Sequence, residues 1–425
     1  MKTIFTWIQQ ALSLKERWVL GISTVISALI LSSLFWLTPV EQGVNPYQLL
    51  AYNIDVFDRN NTKLDPFYTI FFANYEAKAS AEEKAGVTTF LETWVTLLHR
   101  YADRHHEFVD DQNQLVTNLK MLNESLGSDQ WLTIDAVFYD LLSEAKAMTL
   151  FTGGAFNMFI GAVSDYWDAL LDNPLYLFQY REKDPAYQPL ARQTLEALLS
   201  YVPLAPVDIE ATLSLREVAG QFQVKFNPFN GAQVGDLKIT LGAIAKGFAN
   251  DIMADGLADL GYTRGYISNG TSSITTMGPR YGNTAYRWQV TSPHPSANLA
   301  FTIEKPGRHS LSTSGAYNGF YIPMGSTKVL RHHIIDPHTG YPSKQAIELN
   351  VISSTYPAAR LDALSTAMMT MSKNEAMTLR QTIMNQGFDL EMAWIEVIDN
   401  RVAVAYSEGY QNLMQREANV KYTRL

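Results

Sequence analysis

The chain has 425 residues, of which 47% are hydrophobic and 18% are charged, and its formal net charge is −9. This composition is sufficient for a folded core and excludes a chain that is disordered throughout. No basic stripe of the kind that marks nucleic-acid binding is present, so we expect no nucleic-acid partner. The absence of cysteine excludes disulfides, zinc–thiolate sites, a cysteine nucleophile and lipidation of an N-terminal cysteine.

The N-terminal region predicts a membrane anchor. Residues 18–37, WVLGISTVISALILSSLFWL, carry no charge, and at about 1.5 Å per residue they span a hydrocarbon layer of roughly 30 Å. Lys2, Lys15 and Arg17 come before this stretch, so the positive-inside rule places residues 1–17 in the cytoplasm. The alternatives are a cleaved signal peptide and a buried core helix, but the run is long for a signal peptide and no clear cleavage site follows it. We expect a single-pass protein of the cell membrane whose main domain is extracytoplasmic.

The rest of the chain is predicted to be a linker and one α+β domain. Residues 38–48 contain two prolines and are interpreted as the linker, and residues 49–425 form the domain. Apolar residues at helical spacing predict helices over 76–101 and 131–150. Alternating residues predict strands within 207–226.

Further elements follow along the chain. Asn, Pro and Gly predict a loop over 227–236, after which LKITL predicts a strand. The segment 244–261 is predicted to be a helix capped by Gly261. Additional strands are expected at 263–268, 286–291, 299–304 and 348–353, and a further helix at 358–372.

The segment LGAIAKG, residues 241–247, combines the end of a predicted strand with the start of a helix. A helix N-terminus presents free N–H groups and the positive end of the dipole, which suits a phosphate. Gly242 and Ala243 allow close approach of the backbone, and Lys246 adds a charge. The segment does not match the P-loop pattern, and simple packing of small residues is the alternative.

The segment LDALSTAMM, residues 361–369, places Asp362 and Thr366 four residues apart on a predicted helix. They therefore share a face, where a carboxylate and a hydroxyl can bind a hard cation such as Mg²⁺. The alternative is that Asp362 caps the helix or pairs with Arg360 at the surface.

The segment RHHIIDPHTGYPS, residues 331–343, carries turn chemistry. Asp336 can hold the turn and Gly340 can adopt positive φ. Such a turn could place His333 beside a cleft, where a histidine with an ordinary pKa of about 6.5 is suited to removing a proton. The alternatives are a structural histidine and a zinc site, but no HExxH pattern is present.

The segment LSTSGAYNGFY, residues 311–321, offers hydroxyl and backbone N–H groups in one short stretch. Ser312, Thr313 and Ser314 precede Gly315, and such a loop could hold a phosphate or help to bind a cation. A serine-hydrolase nucleophile is not indicated, because GxSxG is absent.

Taken in this order, the segments LGAIAKGFANDI, YISNGTSSI, LSTSGAYNGFY, HHIIDPHTGYP and LDALSTAMM resemble the FAD:protein FMN transferases, the ApbE-like flavin transferases. TGGAFNMFIG, residues 152–161, looks like the family's N-terminal glycine-Phe segment. The resemblance extends from about residue 50 to near the C-terminus. It implies a single large domain with mixed or antiparallel sheets and flanking helices, here after one transmembrane helix.

The resemblance also implies an activity. FMN would be transferred from FAD, with Mg²⁺, to a Ser or Thr hydroxyl in the flavinylation motif of an extracytoplasmic acceptor protein, and AMP would be released. His333 matches the implied base, and the positions that match cation ligands are Ala243, Asp362 and Thr366. The positions expected to contact FAD are Asn157, Lys246, Asn269, Gly270, Thr271, Ser312, Thr313, Ser314 and Gly315.

Two other functions use the same features. The domain could bind FAD as an electron-transfer module without transferring FMN, or it could hydrolyse FAD to FMN and AMP with water in place of the acceptor hydroxyl. The chain also departs from the family pattern, because the usual lipoprotein cysteine is missing and the helix at 18–37 is expected to replace it.

Overall fold

The computed structural model describes residues 48–52, 56–64, 70–74, 81–173, 175–270, 272–280, 284–317, 319–324 and 327–425. The predicted anchor at 18–37 and the predicted FAD contact Thr271 lie outside these ranges. No helix within them is long and apolar enough to cross a membrane. The helices of the described part are α1 (Ala81–Ala102), α2 (Leu119–Glu124), α3 (Ala136–Phe151), α4 (Gly161–Leu171), α5 (Tyr176–Lys183), α6 (Pro189–Ser200), α7 (Pro206–Thr212), α8 (Ala245–Asp259), α9 (Ala358–Thr370) and α10 (Lys373–Asn385).

The strands come in groups before, between and after these helices. The strands of the described part are β1 (Gln48–Tyr52), β2 (Val56–Phe57), β3 (Lys63–Leu64), β4 (Ile70–Asn74), β5 (Leu132–Ile134), β6 (Leu213–Val218), β7 (Gln221–Phe226), β8 (Gly265–Asn269), β9 (Ser273–Thr276), β10 (Tyr286–Thr291), β11 (Leu299–Lys305), β12 (His309–Gly315), β13 (Phe320–Met324), β14 (Thr327–Arg331), β15 (Glu348–Ser353), β16 (Glu391–Ile398), β17 (Arg401–Tyr406), β18 (Met414–Arg416) and β19 (Lys421–Arg424).

The central sheet has the strand order β1-β4-β8-β9-β12-β15-β16-β17-β19. Its neighbours pair antiparallel except for β17 and β19, which are parallel. Smaller sheets have the orders β10-β11-β18, β5-β7-β6, β13-β14 and β2-β3. This architecture confirms the predicted α+β class with predominantly antiparallel sheets.

The central sheet is covered on both faces, as the buried side chains of β15 show. Leu349 and Val351 belong to the core that the sheet forms with the helices, including α8 and α9. Ile352 points the other way, into a second core shared with Phe301 of the small sheet. Because successive residues of a strand face opposite sides, each residue of the central strands is assigned to one layer or the other.

Two segments contain elements that the sequence pattern placed wrongly. In 131–150, Leu132–Ile134 form β5, and the helix starts only after Asp135, whose side chain caps it by accepting from the Val137 N–H at 2.8 Å. Within 207–226, residues 206–212 form α7, because Pro206 suits the first turn of a helix and Ile209 is buried on it.

The strand predicted for LKITL, residues 237–241, is also wrong, because this segment forms no strand. Its backbone bonds elsewhere: the Ile239 N–H donates to the Asn123 side chain at 2.7 Å, and the Thr240 N–H donates to the Met158 carbonyl at 2.8 Å. The helix that follows is confirmed as α8, and Gly261 ends it with φ of 90°, as a C-terminal glycine should. Leu260, the residue before this glycine, is 56% exposed.

Candidate active site

Helices α8 and α9 meet at their N-terminal ends because one position carries no side chain. A Cβ on Gly247 would lie 2.1 Å from the carbonyl oxygen of Ala358, so only glycine allows this approach. The approach brings the Gly247 N–H to 3.1 Å from Asp362 Oδ2. The crossing therefore joins the LGAIAKG and LDALSTAMM segments into one site.

Asp362 is buried and is held by groups from two elements, α8 and β12. Its Oδ2 accepts from Gly247 and lies 3.8 Å from the Lys246 ammonium, and its Oδ1 accepts from the Ser312 hydroxyl at 3.2 Å. Asp362 is only 3% exposed, and a buried carboxylate needs such partners. Arg360, the alternative partner, pairs with Glu144 of α3 instead.

The stretch with Ser312, Thr313 and Ser314 was expected to be a loop but forms part of strand β12, because it pairs with β9 and β15. Its hydroxyl groups therefore divide between the two faces of the strand. Ser314 Oγ lies 3.0 Å from Thr366 Oγ1, so Ser312 and Ser314 both face α9. Thr313 points to the opposite face, where its hydroxyl accepts from Asn350 Nδ2 at 2.6 Å. Of the three predicted hydroxyls, two therefore line the site and Thr313 does not.

The first turn of α8 leaves a carbonyl available. The Gly247 N–H, which would ordinarily bond to the carbonyl four residues earlier, is directed to Asp362. No donor within the described ranges bonds to the Ala243 carbonyl. Lys246 Nζ donates to the preceding carbonyl, that of Gly242, at 2.8 Å.

The oxygen atoms of Ala243, Asp362 and Thr366 are the donor types that Mg²⁺ prefers. No cluster of three or more His, Cys, Asp or Glu side chains that could hold a metal occurs in the described part of the chain. A cation here would therefore depend on carbonyl and hydroxyl oxygens in addition to one carboxylate. The residues present fit a hard cation.

The β8–β9 turn lies beside Lys246. Asn269 is fully buried, its Nδ2 donates to the Lys246 carbonyl at 3.4 Å, and its Oδ1 has no hydrogen-bond partner. An unsatisfied buried oxygen is costly and is commonly satisfied by a bound group. Gly270 follows with φ of 60° and is half-buried. Asn250, which the sequence reading did not single out, carries a second unsatisfied buried amide oxygen.

His333 lies close enough to Lys246 to be affected by its charge. Its imidazole is accessible to solvent although protein atoms surround it on most sides. These surroundings, with the charge of Lys246 as a smaller cause, lower the pKa of His333 to about 4. The side chain is therefore neutral near physiological pH and has a nitrogen free to accept a proton.

The turn after His333 has the predicted form. Asp336 accepts from the His338 N–H at 2.9 Å and from the Thr339 hydroxyl at 3.0 Å. Gly340 has φ of 72° and donates its N–H to the Asp336 carbonyl at 2.8 Å. His332, by contrast, is a structural histidine that bonds to the Ser343 carbonyl at 2.9 Å.

Two contacts from distant parts of the chain hold this stretch, and the sequence reading missed both. Arg331 forms a bidentate ion pair with Asp184 at 2.8 and 3.1 Å, and both residues are almost fully buried. Trp167 Nε1 donates to the Gly340 carbonyl at 2.7 Å. No local sequence pattern indicates either contact, because the partners are separated by 147 and 173 residues.

Asn157, a predicted FAD contact, uses its amide within the protein. Its Nδ2 donates to the Pro203 carbonyl and its Oδ1 accepts from the Phe159 N–H, both at 2.9 Å. Gly315 is packed tightly, since a Cβ there would lie 2.5 Å from the ring of Tyr317. These two positions support the architecture around the site, whereas Lys246, Ser312, Ser314, Asp362 and Thr366 form its centre.

A profile of the ApbE family matches residues 72–388, and the chain belongs to that family. The FAD:protein FMN transferase of Treponema pallidum (strain Nichols) is 28% identical over 314 residues, which cover 72% of this chain and 76% of the relative. That of Escherichia coli (strain K12) is 23% identical over 368 residues, 86% of this chain and 91% of the relative.

A solved structure extends the comparison to the fold. The flavin transferase ApbE from Vibrio cholerae superimposes with a TM-score of 0.58 at 18% identity, covering 86% of this chain and 99% of that one. The resemblance predicted from the five ordered segments is confirmed.

Proposed function

We propose that this protein is an FAD:protein FMN transferase that moves FMN from FAD to a Ser or Thr hydroxyl of an acceptor protein, with Mg²⁺ bound, and releases AMP. Family membership and the activity named for its relatives support the transfer. One observation carries the assignment of the site: a single lysine, Lys246, lies 3.8 Å from the buried Asp362, and its charge also lowers the pKa of His333.

The proposed reaction is a phosphoryl transfer. The acceptor oxygen attacks the phosphorus that carries riboflavin, a new O–P bond forms, and the bond from that phosphorus to the bridging oxygen of the FAD diphosphate breaks. AMP leaves with the bridging oxygen, and the proton of the acceptor hydroxyl passes to the free nitrogen of His333. Positioning and charge stabilisation dominate such reactions.

Each residue of the site has a defined role in this proposal. His333 accepts the proton without first having to lose one, because its pKa of about 4 keeps it neutral. Lys246 places a positive charge beside the phosphates. Ser312 and Ser314 orient Asp362 and Thr366 through the hydrogen bonds described above.

The cation would be held by the Ala243 carbonyl, the Asp362 carboxylate and the Thr366 hydroxyl. When bound, Mg²⁺ offsets negative charge on the phosphates. Ala243 and Thr366 are only half-buried, and we expect the diphosphate to approach the oxygens from their side.

The test uses the purified full-length chain, FAD, Mg²⁺ and an acceptor domain with a Ser/Thr flavinylation motif. Flavin fluorescence on the acceptor is read in a denaturing gel, and AMP is measured in parallel. We expect a chelator-sensitive covalent band that is lost in Asp362→Asn and kept in Asp259→Asn, a matched change on the exposed end of α8. AMP without labelling would indicate hydrolysis, and FAD binding with neither product would indicate a binding module.

We also propose that residues 18–37 anchor the chain and place the catalytic domain outside the cytoplasm. The uncharged run and the positive residues before it support this orientation. Protease added to intact spheroplasts should cleave the domain, and deletion of residues 1–37 should move the protein from the membrane to the soluble fraction. Protection from the protease would contradict the orientation.

A further inference from the structure

We propose that Asp251 is a positioning residue that holds helix α9, and with it Asp362 and Thr366, in register with the first turn of α8. The inference rests on the proposed function, since it concerns the geometry of the same cation site. Asp251 itself contacts neither the proposed cation ligands nor His333; it acts through the backbone of α9.

Helix α9 has no cap of its own. Its N-cap residue is Pro357, which makes no side-chain capping bond, and no acidic residue lies in its first turn. The first N–H groups of a helix have no partners within the helix and must find acceptors elsewhere. They find one on α8: Asp251 Oδ1 accepts from the Ala358 N–H and Oδ2 from the Ala359 N–H, both at 2.9 Å.

The two contacts lie on one face of α8. Gly247 and Asp251 are four residues apart, so both face the start of α9. At Gly247 the backbones touch, as the 2.1 Å distance from a Cβ to the Ala358 oxygen demonstrates. The Gly247 N–H also reaches Asp362. Helix α8 thus contacts α9 twice, at the first turn of α9 through Asp251 and one turn later at the Asp362 carboxylate through Gly247.

Charge reinforces this contact. The carboxylate of Asp251 faces the positive end of the α9 dipole, where a negative group is favourable. Burial raises the pKa of Asp251 to about 6, and the two N–H donors oppose that rise. The other charged groups that face it are Asp255 and Arg308. Near neutral pH Asp251 is ionised and can accept both bonds.

A cap that serves stability alone would behave differently from a positioning residue, and α10 offers the matched control. Ser372 caps α10 in a capping box with Glu375, and neither residue belongs to the proposed site. Ser372→Ala removes a helix cap, as Asp251→Ala does. A general effect of lost stability should therefore appear in both variants, and an effect on cation geometry only in the Asp251 variants.

The experiment measures Mn²⁺ binding to the full-length chain in detergent by electron paramagnetic resonance, with thermal unfolding followed in parallel. We expect the Kd for Mn²⁺ to rise about tenfold or more in Asp251→Ala, a size typical of residues that orient metal ligands. It should change less than twofold in Ser372→Ala. Asp251→Asn keeps one acceptor oxygen, so its Kd for Mn²⁺ should lie between those of Asp251→Ala and the parent.

The outcomes separate this proposal from the proposed function. If the parent binds Mn²⁺ and the Asp251 variants bind it as well as Ser372→Ala does, the positioning role is wrong and the cation site stands. If the parent binds no Mn²⁺, the cation site is wrong and this inference falls with it. Should Asp251→Ala not fold, the comparison of Asp251→Asn with Ser372→Ala gives the same decision.

Discussion

The Lys246 ammonium lies 3.8 Å from the Asp362 carboxylate, and its charge also lowers the pKa of His333. One lysine therefore connects the proposed cation ligand with the proposed base. Because the lysine stands in the first turn of α8, its position depends on how that helix meets α9.

Asp362→Asn should reduce the rate of FMN transfer by about a hundredfold or more, because a neutral amide binds Mg²⁺ poorly. The fold should be retained, since the amide has nearly the same shape as the carboxylate. Initial rates at saturating FAD, measured over a range of Mg²⁺ concentrations, provide the test. Unchanged Mg²⁺ dependence in this variant would remove Asp362 from the cation site.

Lys246→Met should raise the pKa of His333 above about 4, because it removes a neighbouring positive charge that disfavours the protonated ring. Burial is the larger cause of the shift, so the pKa should remain below 6.5. The histidine ring protons followed by NMR against pH give the value. Lys238→Met is the control, because Lys238 pairs with Asp165 at 2.8 Å and is not among the causes of the shift.

Gly247→Ala should destabilise the protein and abolish transfer, because the added Cβ would meet the Ala358 carbonyl at 2.1 Å. Overpacking of this kind typically costs about 1–3 kcal/mol. Gly86→Ala on α1 is the matched control: a Cβ there meets nothing within 4 Å, and alanine in a helix interior should stabilise by about 1 kcal/mol. Urea unfolding of both variants is the measurement, and equal effects would contradict the close approach.

The free energy of unfolding should fall as the pH drops from about 6.5 to about 4, in part because of His309. Burial lowers the pKa of His309 to about 4 from 6.5. Its neutral ring donates from Nδ1 to the Gly307 carbonyl and accepts at Nε2 from Trp288, each at 3.0 Å. The unfolded chain takes up the proton first, so stability is lost across this window, by on the order of 3 kcal/mol.

The comparison of unfolding near pH 7 and near pH 4 in His309→Gln tests this contribution. The variant should lose less stability on acidification than the parent. His338→Gln should behave in the opposite way, because its hydrogen bond with Asp336 raises the pKa of His338 and so adds stability as the pH falls. If the free energy of unfolding changed equally with pH in the parent and in both variants, the roles given to His309 and His338 would be wrong.

Arg331→Met should cost about 3–5 kcal/mol, because it leaves Asp184 buried without its ion-pair partner. Activity should also fall, since Arg331 lies two residues before His333. Combining Arg331→Met with Asp184→Asn removes the uncompensated charge and should restore much of the stability but less of the activity. Thermal unfolding and transfer rates are measured for both single variants and the double variant, which together form a double-mutant cycle.

The sequence predicted the features that depend on neighbouring residues. The spacing of Asp362 and Thr366 placed both on one helical face, and Asp336 with Gly340 predicted the turn that the structure has. These features depend on residues within one or two turns of each other. The order of the five segments was sufficient to identify the family.

Some information in the sequence was left unused. Residues of a strand alternate between faces, so an interpretation of residues 311–315 as a strand rather than a loop would have placed Ser312 and Ser314 on one side and Thr313 on the other. Similarly, Gly247 and Asp251 stand at helical spacing in the segment LGAIAKGFANDI, and both contact α9. The misplaced start of α3 arose because apolar periodicity continued through β5, and only the cap at Asp135 separates the two elements.

By itself, the sequence determined which residue types are present, their spacing within each element and the order of the elements. The tertiary structure alone decided that Asp184 neutralises Arg331, that Trp167 holds the turn after His333, and that Asp251 caps α9. These contacts join residues more than 100 positions apart. A local sequence pattern does not indicate which distant residue will be the partner. The packing of one element on another, as of α8 on α9 at Asp251, brings such residues together, because burying apolar faces also determines where the polar groups between them must pair.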